Sequence, residues 1–256
     1  MEHLSSLKNP RVMLWRSLRD RKERLKNGLF LVEGRKMTEE ALRSDMTVET
    51  ILADEERLDT LTLPDNVEIV ALPSHVFAAV CDTKTPQGIA AVVRLPQGEQ
   101  PVHGSRLLAM DGVQDPGNVG TIIRTADAAG FDGVILSREC ADVYSPKVLR
   151  ATMGSVFHIG ITVTDELPSA LHRLAEAGYS ILSSQLDGEP FYSRRAVGKR
   201  YCLIIGNEGN GVSPQVQQEA THRLRLPMRG EAESLNAAIA AGIMMYDLVR
   251  ADEEQG

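Results

Sequence analysis

The second half of the chain alternates short apolar runs with segments whose apolar residues recur at helical spacing. The apolar runs predict strands at 106–110, 133–136, 156–163, 179–183, 201–205 and 223–226. The segments with helical spacing predict helices at 118–130, 146–153, 167–177, 214–220 and 234–250. Since apolar strands separated by helices are typical of a parallel sheet covered on both faces, the predicted fold class is α/β.

The first 95 residues predict a smaller α/β module. Its helical patterns lie near 10–19 and 35–44, and its strand-like runs at 30–32, 48–53, 67–72 and 89–95. The stretch LPQGEQPVHGS that follows has two prolines, two glycines and no apolar period, which is typical of a linker. We therefore expect a domain at 1–95, a linker at 96–105 and a second domain at 106–256.

The last predicted helix is apolar around most of its circumference. Leu235, Ile239, Gly242, Tyr246 and Val249 form one stripe, and alanines and methionines fill much of the rest. A helix that is apolar on two sides is buried on both of them. Either a second subunit covers the outer side, which predicts a homodimer, or the helix runs through the centre of the core.

Composition excludes several classes of protein. Of the 256 residues, 43% are hydrophobic and 25% charged, as in ordinary globular proteins and unlike disordered or collagen-like chains. No apolar stretch approaches the roughly 18 residues of a membrane span, and the N-terminus lacks the apolar core of a secretory signal. The three cysteines are far apart and predict neither a disulfide framework nor a zinc site. We expect a cytoplasmic protein without a metal.

The net charge of -7 conceals a basic N-terminal segment. Residues 1–36 contain ten lysines and arginines against four acids, so this segment is either a solvated helical surface or a grip for a polyanion. A second basic feature follows Ser145-Pro146, which predicts a helix start: Lys147 and Arg150 there could contact phosphates or lie on an ordinary capped surface helix.

Three segments of the second domain follow predicted strands, where ligands bind in open α/β sheets. The first, DGVQDPGNVGTIIR, ends on Arg124, which shares a helix face with Gly120. On these residues alone, Arg124 is either a functional group or a surface arginine.

The second segment, YCLIIGNEGNGVSP, places Gly206, Glu208 and two further glycines in a loop that matches neither a Walker A loop nor GxGxxG. It is a nucleotide-sized binding loop or a glycine-rich turn.

The third segment, RLPMRGEAESLNAAI, leads into the last helix. Ser234 stands where a helix cap is expected, and Asn236 is then in the first turn, where exposed amides can meet a ligand. For Ser234 taken by itself, ordinary capping is sufficient.

In their order and spacing, NVGTIIR, IIGNEGNG and LPMRGEAESLNAAIAAG resemble the three motifs of the SpoU (TrmH) family of RNA 2′-O-ribose methyltransferases, within the SPOUT class. The resemblance covers about 107–250. The first domain is similar to the family's ribosomal-protein-like RNA-binding domain, through NPRV at Asn9, FLVEG at Phe30 and PQGIAAVV at Pro86. One departure is that Ala237 and Ala238 follow Ser-Leu-Asn, where many members have a second hydroxyl residue.

The resemblance implies a knotted methyltransferase domain with a trefoil knot, S-adenosylmethionine as methyl donor, a ribose 2′-hydroxyl acceptor and a dimer. It implies that the backbone of Gly206, Leu226 and Leu235 holds the donor, with Glu208, Ser234 and Asn236 near it. The matching catalytic set is Arg124, Asn118, Glu208, Ser234 and Asn236. Arginine keeps its proton to a pKa above about 12, so Arg124 is either the family's general base or a clamp for phosphate and developing alkoxide.

The expected partner is RNA rather than DNA or a membrane, and ribosomal RNA suits the ribosomal-protein-like first domain better than transfer RNA. The candidate phosphate contacts are Arg11, Arg16, Arg19, Arg21, Lys22, Arg35, Lys147 and Arg150. Two other classes of function stay open on the sequence alone. One is a non-catalytic RNA-binding factor on the same scaffold, and the other is a small-molecule enzyme with a different nucleotide cofactor.

Overall fold

The computed structural model describes residues 1–98 and 101–254, and the chain divides into two compact units. The first unit comprises Met1–Gly98 together with Tyr144–Phe157, and the second comprises, of the described residues, 101–143 together with 158–254. Glu99 and Gln100 of the predicted linker lie outside the described residues. Within those residues, no helix is both long and apolar enough to cross a membrane.

The helices and strands follow the predicted alternation closely. The first part of the chain contains β1 (Glu2–His3), α1 (Pro10–Ser17), α2 (Arg21–Asn27), β2 (Leu29–Glu33), α3 (Arg35–Arg43), β3 (Val48–Asp54), β4 (Glu68–Leu72), α4 (Ser74–Val80) and β5 (Ile89–Arg94). The remainder contains β6 (Arg106–Asp111), α5 (Pro116–Ala128), β7 (Gly133–Ser137), α6 (Pro146–Thr152), β8 (Gly160–Thr164), α7 (Leu167–Glu176), β9 (Ser180–Pro190), β10 (Tyr201–Gly206), α8 (Pro214–Gln218), β11 (His222–Arg225) and α9 (Ala237–Glu253).

A five-stranded mixed sheet forms the centre of the first unit, in the order β1-β4-β3-β5-β2. Strand β5 pairs antiparallel with both β2 and β3, whereas β4 pairs parallel with β3 and β1. Trp15 of α1 and Phe77 of α4 are buried against the sheet with Leu52 and Val70. Helices α2 and α4 were not among the predicted elements.

The second unit is built on a six-stranded sheet in the order β11-β9-β10-β6-β7-β8, and every neighbouring pair is parallel. The predicted α/β class with a parallel sheet is therefore confirmed. At the centre, β10 runs in register with β6 from Tyr201 opposite Arg106 to Gly206 opposite Asp111. Helix α5 contacts α9 and β7, and α7 contacts β9 and α8. Helices therefore pack on the sheet, as expected for strands made of apolar residues.

One predicted strand, 156–163, is wrong in its first half. Ser155–Phe157 is a 3-10 turn, and β8 begins only at Gly160. The cause lies just before the turn, where Met153 and Gly154 have φ values of 55° and 107°. Left-handed residues end α6 and redirect the chain before it can extend.

Helix α6 belongs to the first unit, although the sequence predicts a continuous second domain from 106. The rings of Phe30 and Tyr144 lie 4.8 Å apart, and Arg150 Nη1 is 2.8 Å from Asp82 Oδ2. The chain therefore leaves the second unit after β7 and returns to it before β8.

Helix α9 starts later than predicted. Its N-cap is Asn236, whose Oδ1 accepts from the amides of Ala238 and Ile239, so the expected cap at Ser234 is wrong. Ala241, Met244 and Met245 are buried on one side of the helix. The other side exposes Ile239 by 56%, Ile243 by 36% and Tyr246 by 54%. This open stripe excludes a helix buried on all sides by its own chain.

Candidate active site

The candidate site residues lie in or beside three loops at the carboxyl edge of the second unit's sheet, with Asn118 and Arg124 on α5, the helix that follows the first loop. The loops are 112–115 after β6, 207–213 after β10 and 226–236 after β11. Strands β6 and β10 are neighbours and end opposite each other at Asp111 and Gly206, so the first two loops leave the sheet side by side. This is the edge at which open parallel sheets bind ligands.

The loop after β10 folds back on itself. Asn207 and Gly211 exchange two backbone hydrogen bonds of 2.9 Å. A Cβ added to Gly206 would lie 2.2–2.5 Å from the backbone of Gly211 and Val212, a separation that no side chain tolerates. Glycine at 206 is therefore required by the close approach of the returning chain.

The side chain of Asn207 joins this loop to the loop after β6. Its Oδ1 accepts from the amides of Gly209 and Asn210 at 3.0 Å each, and its Nδ2 donates to the carbonyl of Gly112 at 2.7 Å. Asp111 adds a second link, because its Oδ2 accepts from the amide of Ser213 at 2.7 Å. The sequence reasoning missed both Asn207 and Asp111; their positions at strand ends were the available signal.

Glu208 makes the third link between the two loops. Its carboxylate accepts from the amides of Gln114 at 3.1 Å and Asp115 at 3.2 Å, and from Asn118 Nδ2 at 2.9 Å. Burial raises the pKa of this carboxyl, but the hydrogen bonds from Asn118 and the backbone outweigh burial and lower the pKa overall. Glu208 is therefore an ionised acceptor rather than a poised acid.

A chain of amides extends from Glu208 to the last helix. Asn118 Oδ1 accepts from Asn236 Nδ2 at 2.9 Å, and Asn236 Oδ1 caps α9. Because an ionised carboxylate can only accept, Asn118 must turn its Nδ2 toward Glu208 and its Oδ1 toward Asn236. That orientation leaves Asn236 its Nδ2 to donate and its Oδ1 to cap the helix. One carboxylate thus fixes the polarity of the whole chain.

The structure brings together three of the predicted catalytic residues and leaves two apart from them. Asn118, Glu208 and Asn236 are joined by hydrogen bonds as described. Arg124 is exposed on α5 and makes no hydrogen bond or ion pair with any described residue, and the same is true of the exposed Ser234. The guanidinium of Arg124 is therefore available to a bound group.

The third loop offers unpaired backbone to a ligand. Within the described part of the chain, the backbone groups of 228–235 form no hydrogen bond with another residue. Leu226 is buried at one end of this loop, whereas Leu235 is 37% exposed at the other. Free amides and carbonyls between two apolar side chains suit a nucleoside, whose base has both polar edges and apolar faces. The loop therefore fits S-adenosylmethionine, the donor that the resemblance implies.

The candidate RNA-binding cations lie in the first unit and differ in their surroundings. Arg11 pairs with Glu2 and Glu68, Arg19 donates to the carbonyls of Ala79 and Cys81, Arg35 donates to the carbonyl of Thr60, and Arg150 pairs with Asp82. Arg21 is exposed. Arg16, Lys22 and Lys147 are exposed and have no ion pair among the described residues. Much of the basic N-terminal segment therefore serves the fold.

A family model described as the SpoU rRNA methylase family matches residues 105–246. The chain belongs to this family. A second model, the MRM3-like substrate binding domain, matches residues 9–91. The predicted family is therefore confirmed, with its motifs in the second unit and a substrate-binding likeness in the first.

Individual relatives agree over nearly the whole chain. The 23S rRNA (guanosine(2553)-2′-O)-methyltransferase RlmP of Bacillus subtilis is 40% identical over 248 residues, which cover 97% of this chain and 99% of the relative. The crystal structure of an rRNA methyltransferase from Sinorhizobium meliloti with bound AdoMet has a TM-score of 0.86 at 33% identity, covering 98% of both chains. The SpoU methyltransferase AviRb of Streptomyces viridochromogenes, in complex with its cofactor AdoMet, has a TM-score of 0.83 at 29% identity, covering 96% of this chain and 99% of that one.

These findings confirm the predicted enzyme class and methyl donor. The chain is an S-adenosylmethionine-dependent RNA 2′-O-methyltransferase of the SpoU family. A non-catalytic factor and an enzyme for small molecules are therefore not retained.

Proposed function

We propose that this enzyme methylates the ribose 2′-hydroxyl of a guanosine in 23S ribosomal RNA, the reaction named for its Bacillus subtilis relative. The observation that supports a working site is the hydrogen-bonded chain from Glu208 through Asn118 to Asn236, which unites the three motif segments. The extent of the likeness to that relative, 97% of this chain, favours ribosomal over transfer RNA.

The backbone of Gly206, Leu226 and Leu235 holds S-adenosylmethionine, and Ser234 and Asn236 lie beside it. When bound, this donor supplies an electrophilic methyl group on a sulfonium. The unpaired backbone of 228–235 and the tight turn at Gly206 support this assignment. The protein's task is to present the acceptor oxygen in line with that methyl group, because such a transfer needs positioning more than covalent help.

Glu208 positions the other residues rather than taking a proton. Its pKa is lowered and its carboxylate already accepts three hydrogen bonds, so it is a weak base. It holds Asn118 at the start of α5, and Asn118 in turn holds Asn236 at the start of α9.

Arg124 clamps the substrate. Its guanidinium donates to an RNA phosphate and to the 2′-oxygen as negative charge develops there. Methyl transfer would form the bond from the 2′-oxygen to carbon as the carbon–sulfur bond of the donor breaks and leaves its electron pair on sulfur, and the hydroxyl proton would pass to water. The exposure of Arg124 and its freedom from partners among the described residues support this role over that of a buried general base.

The enzyme acts as a homodimer in the cytoplasm, and its second domain, 106–256, contains a trefoil knot. The exposed stripe of Ile239, Ile243 and Tyr246 supports an isologous interface on α9. The sheet order supports the knot, since the chain goes from central β10 to edge strand β11 and returns along α9 to β10 and α5. The first domain, 1–95, binds the RNA.

The test is methyl transfer by the purified chain from labelled S-adenosylmethionine to a 23S rRNA transcript. A matched transcript carries a 2′-deoxyguanosine at the position that receives the label in the unmodified transcript. We expect label in the ribose of one guanosine and none in the deoxy transcript. Label that persists in the deoxy transcript, or that enters transfer RNA instead, would refute the proposal.

A further inference from the structure

The first unit has an exposed basic face made by three elements that are far apart in the chain. They are the start of α3, the loop 82–87 before β5, and α6, which comes from the middle of the methyltransferase sequence. We call this set of elements the α3–α6 face. The ion pair between Arg150 of α6 and Asp82 of the loop, at 2.8 Å, joins two of them. Gln87 Oε1 accepts from the amide of Arg35 at 3.0 Å and joins the loop to α3.

The loop in this face is held in place by Glu33, at the end of β2. The Glu33 carboxylate accepts from the amide of Asp82 at 2.6 Å, and from the amide and hydroxyl of Thr83 at 3.1 and 2.7 Å. Lys84 follows directly on the anchored turn, so its ammonium extends from a fixed point. A rigid platform lowers the entropy lost when a charged side chain binds a ligand.

Two acids at the α3–α6 face are engaged by partners, whereas its lysines are not. Glu33 is occupied by the loop and Asp82 by Arg150. Lys36, Lys84 and Lys147 are exposed and pair with no described residue. Glu39 is an exposed acid on α3, and the face remains positive with it included.

Several cations of α1 and α2 differ in this respect, although Arg16 and Lys22 are exposed and have no ion pair among the described residues. Arg11 is neutralised by Glu2 and Glu68, and Arg24 is buried and donates to the carbonyls of Leu18 and Arg19. A polyanion gains most from cations that need not abandon an internal partner.

We infer that the α3–α6 face, with Lys36, Lys84 and Lys147, is the surface that binds the phosphate backbone of the RNA substrate. The inference rests on the proposed function for its ligand. It assigns α6 to RNA binding, although α6 lies within the family's methyltransferase sequence. It also places the N-terminal helices α1 and α2 outside the main RNA-binding surface. Exposed lysines spaced on an anchored surface favour a folded RNA recognised by its backbone.

The experiment compares three charge-reversal pairs in the full chain. The test pair is Lys84→Glu with Lys147→Glu, and the rival pair on α1 and α2 is Arg16→Glu with Lys22→Glu. The control pair in the second unit is Arg173→Glu with Lys199→Glu, at two other exposed cations. Each pair changes the net charge equally. Affinity for a 23S rRNA transcript is measured from 50 to 200 mM salt.

We expect the test pair alone to weaken binding at least about tenfold and to lower the slope of log affinity against log salt by about 1.4–1.8, or about 0.7–0.9 per lost phosphate contact. An equal or larger effect from the rival or control pair would overturn the inference. Melting curves and calorimetric titration with S-adenosylmethionine show whether each variant is folded. Failure of the proposed function would appear as absent methyl transfer by the wild type, whereas failure of this inference appears only in the variants.

Discussion

Asn236 donates a hydrogen bond of 2.9 Å from its Nδ2 to Oδ1 of Asn118, a residue 118 positions earlier in the chain. The bond couples the start of α9 to the start of α5, and Glu208 continues the coupling to the loop after β10. Its polarity is not arbitrary, because it follows from the charge on Glu208. The three motifs of the family therefore work as one hydrogen-bonded unit.

Replacing Asn236 separates its two roles. Asn236→Asp keeps an oxygen that caps α9 but places a carboxylate oxygen against Asn118 Oδ1, whereas Asn236→Ala loses both bonds. We expect the Asp variant to retain its melting temperature and lose most methyl transfer. We expect the Ala variant to lose about 1 kcal/mol of stability as well. Melting curves and initial rates measure both effects. Equal activity of the Asp variant and the wild type would contradict a role for this bond.

Glu208→Gln removes the charge that orients the amides. The NH2 group of Gln would face an N–H group from which the carboxylate accepts a hydrogen bond in the wild type. We therefore expect weaker binding of S-adenosylmethionine and a loss of about 1–2 kcal/mol of stability at neutral pH, allowing for solvent screening. Because the pKa of Glu208 is lowered in the folded chain, its contribution is complete above the ordinary carboxyl pKa of about 4.3. It disappears as pH falls through the lowered pKa.

Urea unfolding of the wild type and Glu208→Gln between pH 3 and 7 tests this dependence. The difference in unfolding free energy between the two proteins should shrink toward the acid end. A difference that is constant across this range would show that the charge of Glu208 does not stabilise the loops.

Arg124→Lys tests the clamp. Lysine keeps the positive charge but lacks the planar pair of donors that can contact a phosphate and the 2′-oxygen together. We expect kcat to fall at least about a hundredfold, which is the usual effect of removing a hydrogen-bond donor to the transition state. The affinity for S-adenosylmethionine should not change. Single-turnover rates and calorimetry provide the two readouts. Near wild-type turnover would reject the clamp.

Gly206→Ala tests the close approach in the loop after β10. The added Cβ would lie 2.2–2.5 Å from backbone atoms of Gly211 and Val212, so the turn must open. We expect loss of donor binding together with a lower melting temperature. Gly198→Ala is the matched control, because it lies outside the three loops of the site and a Cβ there would be no closer than 3.6 Å to its neighbours. Equal donor binding by the two variants would contradict the requirement at 206.

Tyr246→Glu tests the proposed dimer. Tyr246 is 54% exposed in the single chain, and a charge within an apolar interface is unfavourable. We expect sedimentation equilibrium to give a dimer for the wild type and a monomer for the variant, with the helical content preserved. A monomeric wild type would refute the dimer.

The sequence predicts those parts of the fold that leave a periodic pattern. Every buried strand of the second unit's sheet appears as an apolar run. Helix α2 was missed because Arg24 is its buried residue, which hides the periodicity. The part of β9 after residue 183 was missed because its residues are mostly polar. Gly188 in this part lies close to the backbone of Arg223 and Leu224.

Two further results lie beyond any local pattern. Helix α6 has an ordinary capped start, and nothing in its own sequence indicates that it packs in the first unit. Ser234 and Asn236 are both good caps, and the hydrogen bond that Asn236 donates to Asn118 distinguishes them. The motif resemblance identified Asn118, Glu208 and Asn236, but the direction of the hydrogen bonds between them is a tertiary property.

The most direct test of the central claim is a map of ribose 2′-O-methylation across the RNA of cells that carry either the wild-type chain or Arg124→Ala in place of it. The account predicts that one guanosine of 23S rRNA is methylated with the wild type and unmethylated with the variant, all other positions being equal. A methylation map of the Arg124→Ala cells that is identical to the wild-type map would contradict it.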